Sequence, residues 1–147
     1  MADTRTQVEV EDWVRRVWMR KKYGQSFSRE RLKLSAGGVF DFDAVSADET
    51  IAAVISTSGA RTASGKNAVG KLLKIRSDMF FLLMADVERR VVVLTEKDMY
   101  DQCKKEVAGG RVPKQIDFEH AQIPEDLAAR LRSARETASL EVSRETK

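Results

Sequence analysis

Cysteine and histidine are almost absent from this 147-residue chain, which contains one of each, Cys103 and His120. A single cysteine excludes an intrachain disulfide, and one residue of each type excludes a Cys/His zinc site built by one chain. Any metal would therefore have to be a hard cation bound by carboxylate oxygens.

Long hydrophobic runs are also absent. The longest apolar stretch, residues 79–85, is far shorter than the ~20 residues that a membrane-spanning helix needs. The first residues are charged rather than signal-like. We therefore expect a cytoplasmic protein without a membrane partner. A length of 147 residues and a hydrophobic content of 42% also fit one domain with a sizeable core.

Acidic residues are scarce in two segments, although the net charge of the whole chain is only +3. Residues 50–77 contain five bases and no acid, and residues 15–33 contain eight bases against Glu30 alone. If the two segments meet in the fold, they can line a phosphate-binding surface. The alternative is a pair of solvated basic faces. The bases are Arg15, Arg16, Arg20, Lys21, Lys22, Arg29, Arg31 and Lys33 in the first segment and Arg61, Lys66, Lys71, Lys74 and Arg76 in the second.

The first half of the chain predicts a helix followed by three strands. Apolar residues at helical spacing predict an amphipathic helix over residues 7–23, stopped by Gly24. A short strand is expected at residues 32–35, after a loop at 25–28, and a glycine turn at 37–38 makes a hairpin with a strand at 39–45. The alternation places Phe40, Phe42 and Ala44 on one face of that strand and Asp41, Asp43 and Val45 on the other. A β-branched run predicts a third strand at 51–56.

The second half predicts a helix over residues 66–76 with a basic outer face, ended by Ser77 and Asp78. The apolar run 79–85 indicates a central strand, followed by a strand at 90–95 and a helix at 96–107. Residues 109–123 are less regular, Pro124 opens a final helix, and a polar, disordered tail is expected from about residue 137. The predicted fold class is α/β, in the order α-β-β-β-α-β-β-α-α.

Two segments, GGVFDFDAVSADETIAAVIS at residues 37–56 and GKNAVGKLLKIRSD at 65–78, together with this element order, resemble the restriction-endonuclease-like, or PD-(D/E)XK, nuclease superfamily. The similarity covers roughly residues 7–94. It implies an αβββαβ core with a mixed central sheet flanked by helices, which we place at residues 1–108. Residues 109–147 would then form a C-terminal extension packed on the same domain.

The resemblance also implies a site. In the superfamily, an Asp near the second strand and an acid on the third bind Mg²⁺, and a Lys two residues beyond the second acid helps to position the attacking water. Asp43 matches the first acid, and Glu9 or Glu11 matches the glutamate that some members carry on the first helix. The third strand reads IAAVIS and has neither the acid nor the lysine. We therefore expect a nuclease-like domain that binds nucleic acid, with degenerate or absent catalysis.

Two alternatives remain at this point. In an active Mg²⁺-dependent phosphodiesterase with migrated residues, Asp43, Glu11 and Asp41 (or Asp48 in place of Asp41) would bind the metal, and Lys66 or Lys71 would activate water. In a non-catalytic protein-interaction module, residues 109–123 and the last helix would bind a protein partner or a second copy. The nucleic-acid contacts expected are Arg15, Arg16, Arg61, Lys66, Lys71 and Lys74. The segment 59–67 also resembles a phosphate-binding loop, but its glycine spacing is one residue too long and Asn67 replaces the Ser or Thr.

Overall fold

The computed structural model describes residues 4–62 and 65–145 of the chain, with side chains described as far as residue 137. Five strands form one mixed sheet in the order β1-β2-β3-β4-β5, and helices cover both of its faces. The strands are β1 (Phe27–Lys33), β2 (Val39–Ser46), β3 (Ile51–Ser56), β4 (Arg89–Leu94) and β5 (Ile116–His120). The helices are α1 (Arg5–Trp13), a π-helical segment (Val14–Trp18), α2 (Met19–Tyr23), α3 (Val69–Leu83), α4 (Lys97–Ala108) and α5 (Glu125–Glu145).

The N-terminal helix is continuous from Arg5 to Tyr23 and contains one π-helical turn. It ends where the sequence predicts, because Gly24 adopts φ 72°, a left-handed conformation that favours glycine. The Gly24 amide donates to the Arg20 carbonyl at 2.9 Å and closes the last turn. Val10, Val14 and Met19 on this helix are fully buried.

The first hairpin differs from the prediction in two ways. β1 begins at Phe27, so the last two residues of the predicted 25–28 loop and residues 29–31 are already strand. The register between β1 and β2 shifts between Ser28, which pairs with Val45, and Glu30, which pairs with Phe42. Arg29 therefore faces both Asp43 and Ala44 in a β-bulge.

The bulge breaks the alternation that the sequence predicts for β2. Phe42 and Val45 pack in the cluster under α3, whereas Ala44 packs in the cluster under α1. The expectation that Ala44 shares a face with Phe40 and Phe42 is therefore wrong. An extra residue in a strand shifts every later side chain to the other face.

The region after residue 76 contains the main correction. Residues 79–83 of the predicted strand at 79–85 are instead the end of α3, and the next strand is β4, which lies between β3 and β5. Residues 109–123, expected to be irregular, contain β5, which pairs in parallel with β4 at the edge of the sheet. The expected disordered tail is described as helix as far as Glu145, and residues 146–147 lie outside the described ranges.

The sheet separates two apolar layers. Phe42, Val92 and Leu82 belong to the layer under α3 and α4, and Val10, Val91 and Leu131 belong to the layer under α1 and α5. The α/β class and the mixed sheet flanked by helices are confirmed. Across residues 4–62 and 65–145, no helix is long and apolar enough to cross a membrane.

Candidate functional site

Strands β2 and β3 pair over only a short length and then separate. The register contains two pairs, Ala44 with Ala53 and Val45 with Ala52. Beyond Ala44, the Asp43 side chain lies between the two strands, and its Oδ2 accepts a hydrogen bond from the Ile55 amide at 2.8 Å. Asp43 thus replaces a backbone partner that β2 no longer provides.

A cleft of about 410 Å³ opens beside this separation. Three of its lining side chains are cationic, three are carboxylates and three are apolar, and they come from β1, β2, β3 and α3. They are Arg29, Arg31, Val39, Phe40, Asp41, Asp43, Val54, Lys74 and Asp78. The basic residues come from both of the acid-poor sequence segments, which therefore meet in the fold.

Asp43 is the electrostatic centre of the cleft. Burial raises the pKa of its carboxyl group, and the Asp78 carboxylate raises it further. The Ile55 amide, Arg29 and Arg15 oppose that rise. Burial also raises the pKa of Glu11, and the charge of Asp43 is the next cause. Asp78 on α3 thus raises the pKa of Asp43, and Asp43 in turn raises the pKa of Glu11 on α1.

Two arginines accompany these carboxylates. Arg15, whose side chain is only 13% exposed, donates from Nε to the Asp43 carbonyl oxygen at 2.6 Å and contacts Asp12 at 3.4 Å. It lies in the π-helical segment, a type of turn that is frequent at functional sites. Arg29 has no ion-pair or hydrogen-bond partner in the described part of the chain, yet its charge lowers the pKa of Glu11, Asp41 and Asp43. Arg29 is therefore available to an anion.

The other charges of the cleft form exposed pairs. Arg31 Nε donates to Asp41 Oδ1 at 2.8 Å, and this contact lowers the pKa of Asp41. Lys74 Nζ donates to Asp78 Oδ1 at 2.7 Å across one turn of α3. Asp41, expected as a metal ligand, lines the same cleft as Asp43 but is paired with Arg31.

The remaining predicted cations lie outside the cleft. Lys71 is exposed one turn before Lys74, and Lys66 is exposed in the preceding loop. Arg61 Nη1 donates to the Gly65 carbonyl at 3.2 Å and to Asn67 Oδ1 at 3.4 Å, so it stabilises its own loop. Arg16 is exposed and pairs with Asp12 at 3.1 Å.

The sequence does not single out three charged lining residues, Arg29, Arg31 and Asp78, although it places the two arginines among the bases of the first acid-poor segment. Arg29 and Arg31 lie on β1, which the sequence predicts too late in the chain. Asp78 stands four residues after Lys74, a spacing that places both on one face of a helix. The signal is hidden in the sequence because the predicted helix ends at residues 77–78, whereas α3 continues to Leu83.

The third strand contributes no charged group. Ala53, Val54 and Ile55 are buried, and only Val54 lines the cleft. In the residues that the structure describes, no three His, Cys, Asp or Glu side chains form a group that could hold a metal ion.

Comparison with protein-family models, curated proteins and solved structures gives no match to this chain. The functional evidence therefore comes from the cleft and its charges.

Proposed function

We propose that this chain is a nuclease-like domain that binds the phosphodiester backbone of nucleic acid at the cleft between β2 and β3, without a complete catalytic set. The observation that carries the proposal is the meeting of two acid-poor segments, because Arg29 and Arg31 from one and Lys74 from the other line a single cleft. The element order and the mixed sheet between helices support the resemblance to the PD-(D/E)XK superfamily.

The cations of the cleft differ in how readily they can meet a phosphate. Arg29 has no ion pair to break in the described part of the chain. The Arg31 and Lys74 side chains are 67% and 69% exposed in their pairs. Exposed ion pairs contribute only about 0.2–1 kcal/mol, so exchanging a carboxylate for a phosphate costs little. Lys71, one turn before Lys74, would extend the contact along α3.

Weak or absent catalysis follows from β3. In the superfamily that this chain resembles, the third strand provides an acid and a lysine, whereas here it presents Val54 to the cleft. An apolar side chain neither binds a cation nor positions water.

The binding proposal is tested by the salt dependence of affinity. Fluorescence anisotropy with short duplex and single-stranded oligonucleotides should give a log K that falls linearly with log salt concentration. Arg29→Gln and Lys74→Gln should each reduce the slope by about 0.7–0.9, the value for one phosphate contact. Lys114→Gln is the matched control, because Lys114 is exposed before β5, at the opposite edge of the sheet from β1. Absence of binding at low salt, or equal slopes in all variants, would refute the proposal.

A second candidate function is a Mg²⁺-dependent phosphodiesterase. The observation that favours it is the position of Asp78 and Lys74, which bring an acid and a lysine from α3 into the cleft where β3 brings none. Asp43 and Glu11 suit a cation, since each is a carboxylate whose pKa is raised by burial. Mg²⁺ is often bound by only one or two carboxylates together with water. It would stabilise charge on a phosphoryl oxygen.

Calorimetry separates the two functions. Titration of wild type with Mg²⁺ or Mn²⁺ should give binding that disappears in Asp43→Asn, a change that keeps an oxygen acceptor for the Ile55 amide. Asp117→Asn is the control, because Asp117 is exposed on β5, at the opposite edge of the sheet from β1. No metal binding and no cleavage of oligonucleotides by wild type would eliminate the enzyme and leave the binding domain.

A further inference from the structure

Four large apolar side chains are exposed on α3, beside the exposed Lys71, Lys74 and Arg76. Val69 is 61% exposed, Leu73 53%, Phe80 61% and Leu83 37%. Monomeric proteins seldom expose contiguous apolar patches larger than a few hundred Å², and larger patches mark interaction sites. Four of the eight large apolar side chains that are exposed in the described part of the chain lie on this one helix.

The spacing on this face is that of a helix-packing seam. Gly70, Leu73, Ser77 and Phe80 follow one another at intervals of three, four and three residues, the pattern of helices that pack side by side. All four are exposed. A Cβ atom added at Gly70 would meet nothing within 4 Å. The seam therefore alternates small residues, which leave open hollows, with large residues that protrude.

We infer that a second copy of this chain packs on this face, with the two α3 helices antiparallel and a two-fold axis that crosses the seam midway between Leu73 and Ser77. Positions 70 and 80, and positions 73 and 77, are each symmetric about 75. Phe80 would then lie over Gly70 of the second copy, and Leu73 would lie against its Ser77. Such an isologous contact needs a surface that complements itself. The small and large residues of this seam do so in the antiparallel register.

The charges beside the seam are compatible with this contact. Arg76 pairs with Glu106 at 3.0 Å, and Lys74 pairs with Asp78 at 2.7 Å. Each flanking cation is thus balanced within its own chain, so two copies approach without unpaired like charges. This neutrality and the self-complementary seam favour a second copy over a charged partner.

The size of the face sets the expected strength. α3 has 15 residues and is therefore about 22 Å long and, with its side chains, about 10 Å wide. One such helix buries less than the about 800 Å² per partner of a standard interface. We expect a weak dimer whose population rises with protein concentration.

Sedimentation velocity of the full chain over a wide concentration range tests this inference. Wild type should shift from one to two chain masses as concentration increases. Phe80→Ala should abolish the shift by removing the protruding ring, and Gly70→Phe should abolish it by filling the hollow. The double variant G70F/F80A should restore it, because the ring and the hollow have only exchanged places. Val8→Ala is the control, since Val8 on α1 is also 61% exposed.

Two results would overturn the inference. A wild type that stays monomeric at every concentration excludes the dimer. If Gly70→Phe strengthens the association, the association is nonspecific, because it then increases with exposed apolar surface and does not need the hollow at Gly70. Circular dichroism spectra matching wild type verify that the variants are folded, and replacing Gly70 within a helix raises helix propensity. The test is independent of nucleic-acid binding.

Discussion

At the scale of single residues, two aspartates on and after β2 should affect stability in opposite directions. Burial raises the pKa of Asp43, so its protonated form is favoured by folding, and stability is lost as pH rises through the folded pKa. Hydrogen bonds from Thr50 and Ser46 lower the pKa of Asp48 from 3.8 to about 2. The stabilisation from Asp48 is therefore fully present above pH 3.8 and is lost as the pH falls toward about 2.

Thermal unfolding at neutral and acidic pH checks this contrast. Asp43→Asn should raise the melting temperature at pH 7. The corresponding gain in the free energy of unfolding should lie within the roughly 1 kcal/mol typical of single substitutions. The gain should vanish in acid, where wild-type Asp43 is protonated. Asp48→Asn should lower the melting temperature at pH 7 and have less effect near pH 2. A loss of stability in Asp43→Asn at pH 7 would mean that the charged form is needed for folding. A stabilised variant would instead fit a carboxylate kept for function at the expense of stability.

At the scale of helices and strands, the largest failure of sequence reasoning concerns α3. A short apolar run does not distinguish a buried strand from a buried helix by its periodicity, and residues 79–85 are such a run. The apolar residues show helical spacing only when residues 79–85 are considered together with the preceding residues, back to Ile75. Ile75, Met79 and Leu82 are buried, whereas Phe80 and Leu83 are exposed. This is the three-to-four spacing of a helix face.

The placement of α3 predicts a contrast between neighbouring leucines. Leu82 is fully buried, so Leu82→Ala should reduce the free energy of unfolding by about 2–5 kcal/mol. Leu83 is 37% exposed, and Leu83→Ala should cost much less. Urea unfolding of both variants measures the difference. Equal costs would contradict the helix, because only Leu82 should leave a cavity.

The site was predictable only in part, for reasons that lie in these elements. Asp43 stands out in the sequence because it is a carboxylate within an alternating strand, and the resemblance adds Glu11. The bulge that places Arg29 opposite Asp43 leaves no local signal, since it depends on the register between two strands. Lys74 was expected among the basic residues, but its partner Asp78 required the correct length of α3.

At the scale of the whole molecule, the C-terminal part of the chain contributes side chains to both apolar layers. Leu127 and Leu131 on α5 pack in the same cluster as Val10 and Val14 on the N-terminal helix. The Glu9–Arg130 ion pair, at 2.7 Å, also joins these helices. β5 completes the sheet beside β4, and Phe118 on it packs in the other layer. Elements after residue 108 thus cover both faces.

A chain ending at residue 108, the boundary expected for the nuclease-like core, should therefore not fold cooperatively. It would leave β4 as an unprotected edge and expose Val10, Val14 and Val91, since the side chains that cover them are removed. Thermal melts followed by circular dichroism, together with the binding of a hydrophobic dye, compare the chain that ends at residue 108 with full-length variants. Leu131→Ala opens the same layer within an intact chain and should reduce the free energy of unfolding by about 2–5 kcal/mol. Arg130→Ala removes an exposed ion pair and should reduce it by about 0–1 kcal/mol. A sharp melt and no dye binding for residues 1–108 would show that the N-terminal part folds alone and that α5 is not required for its folding.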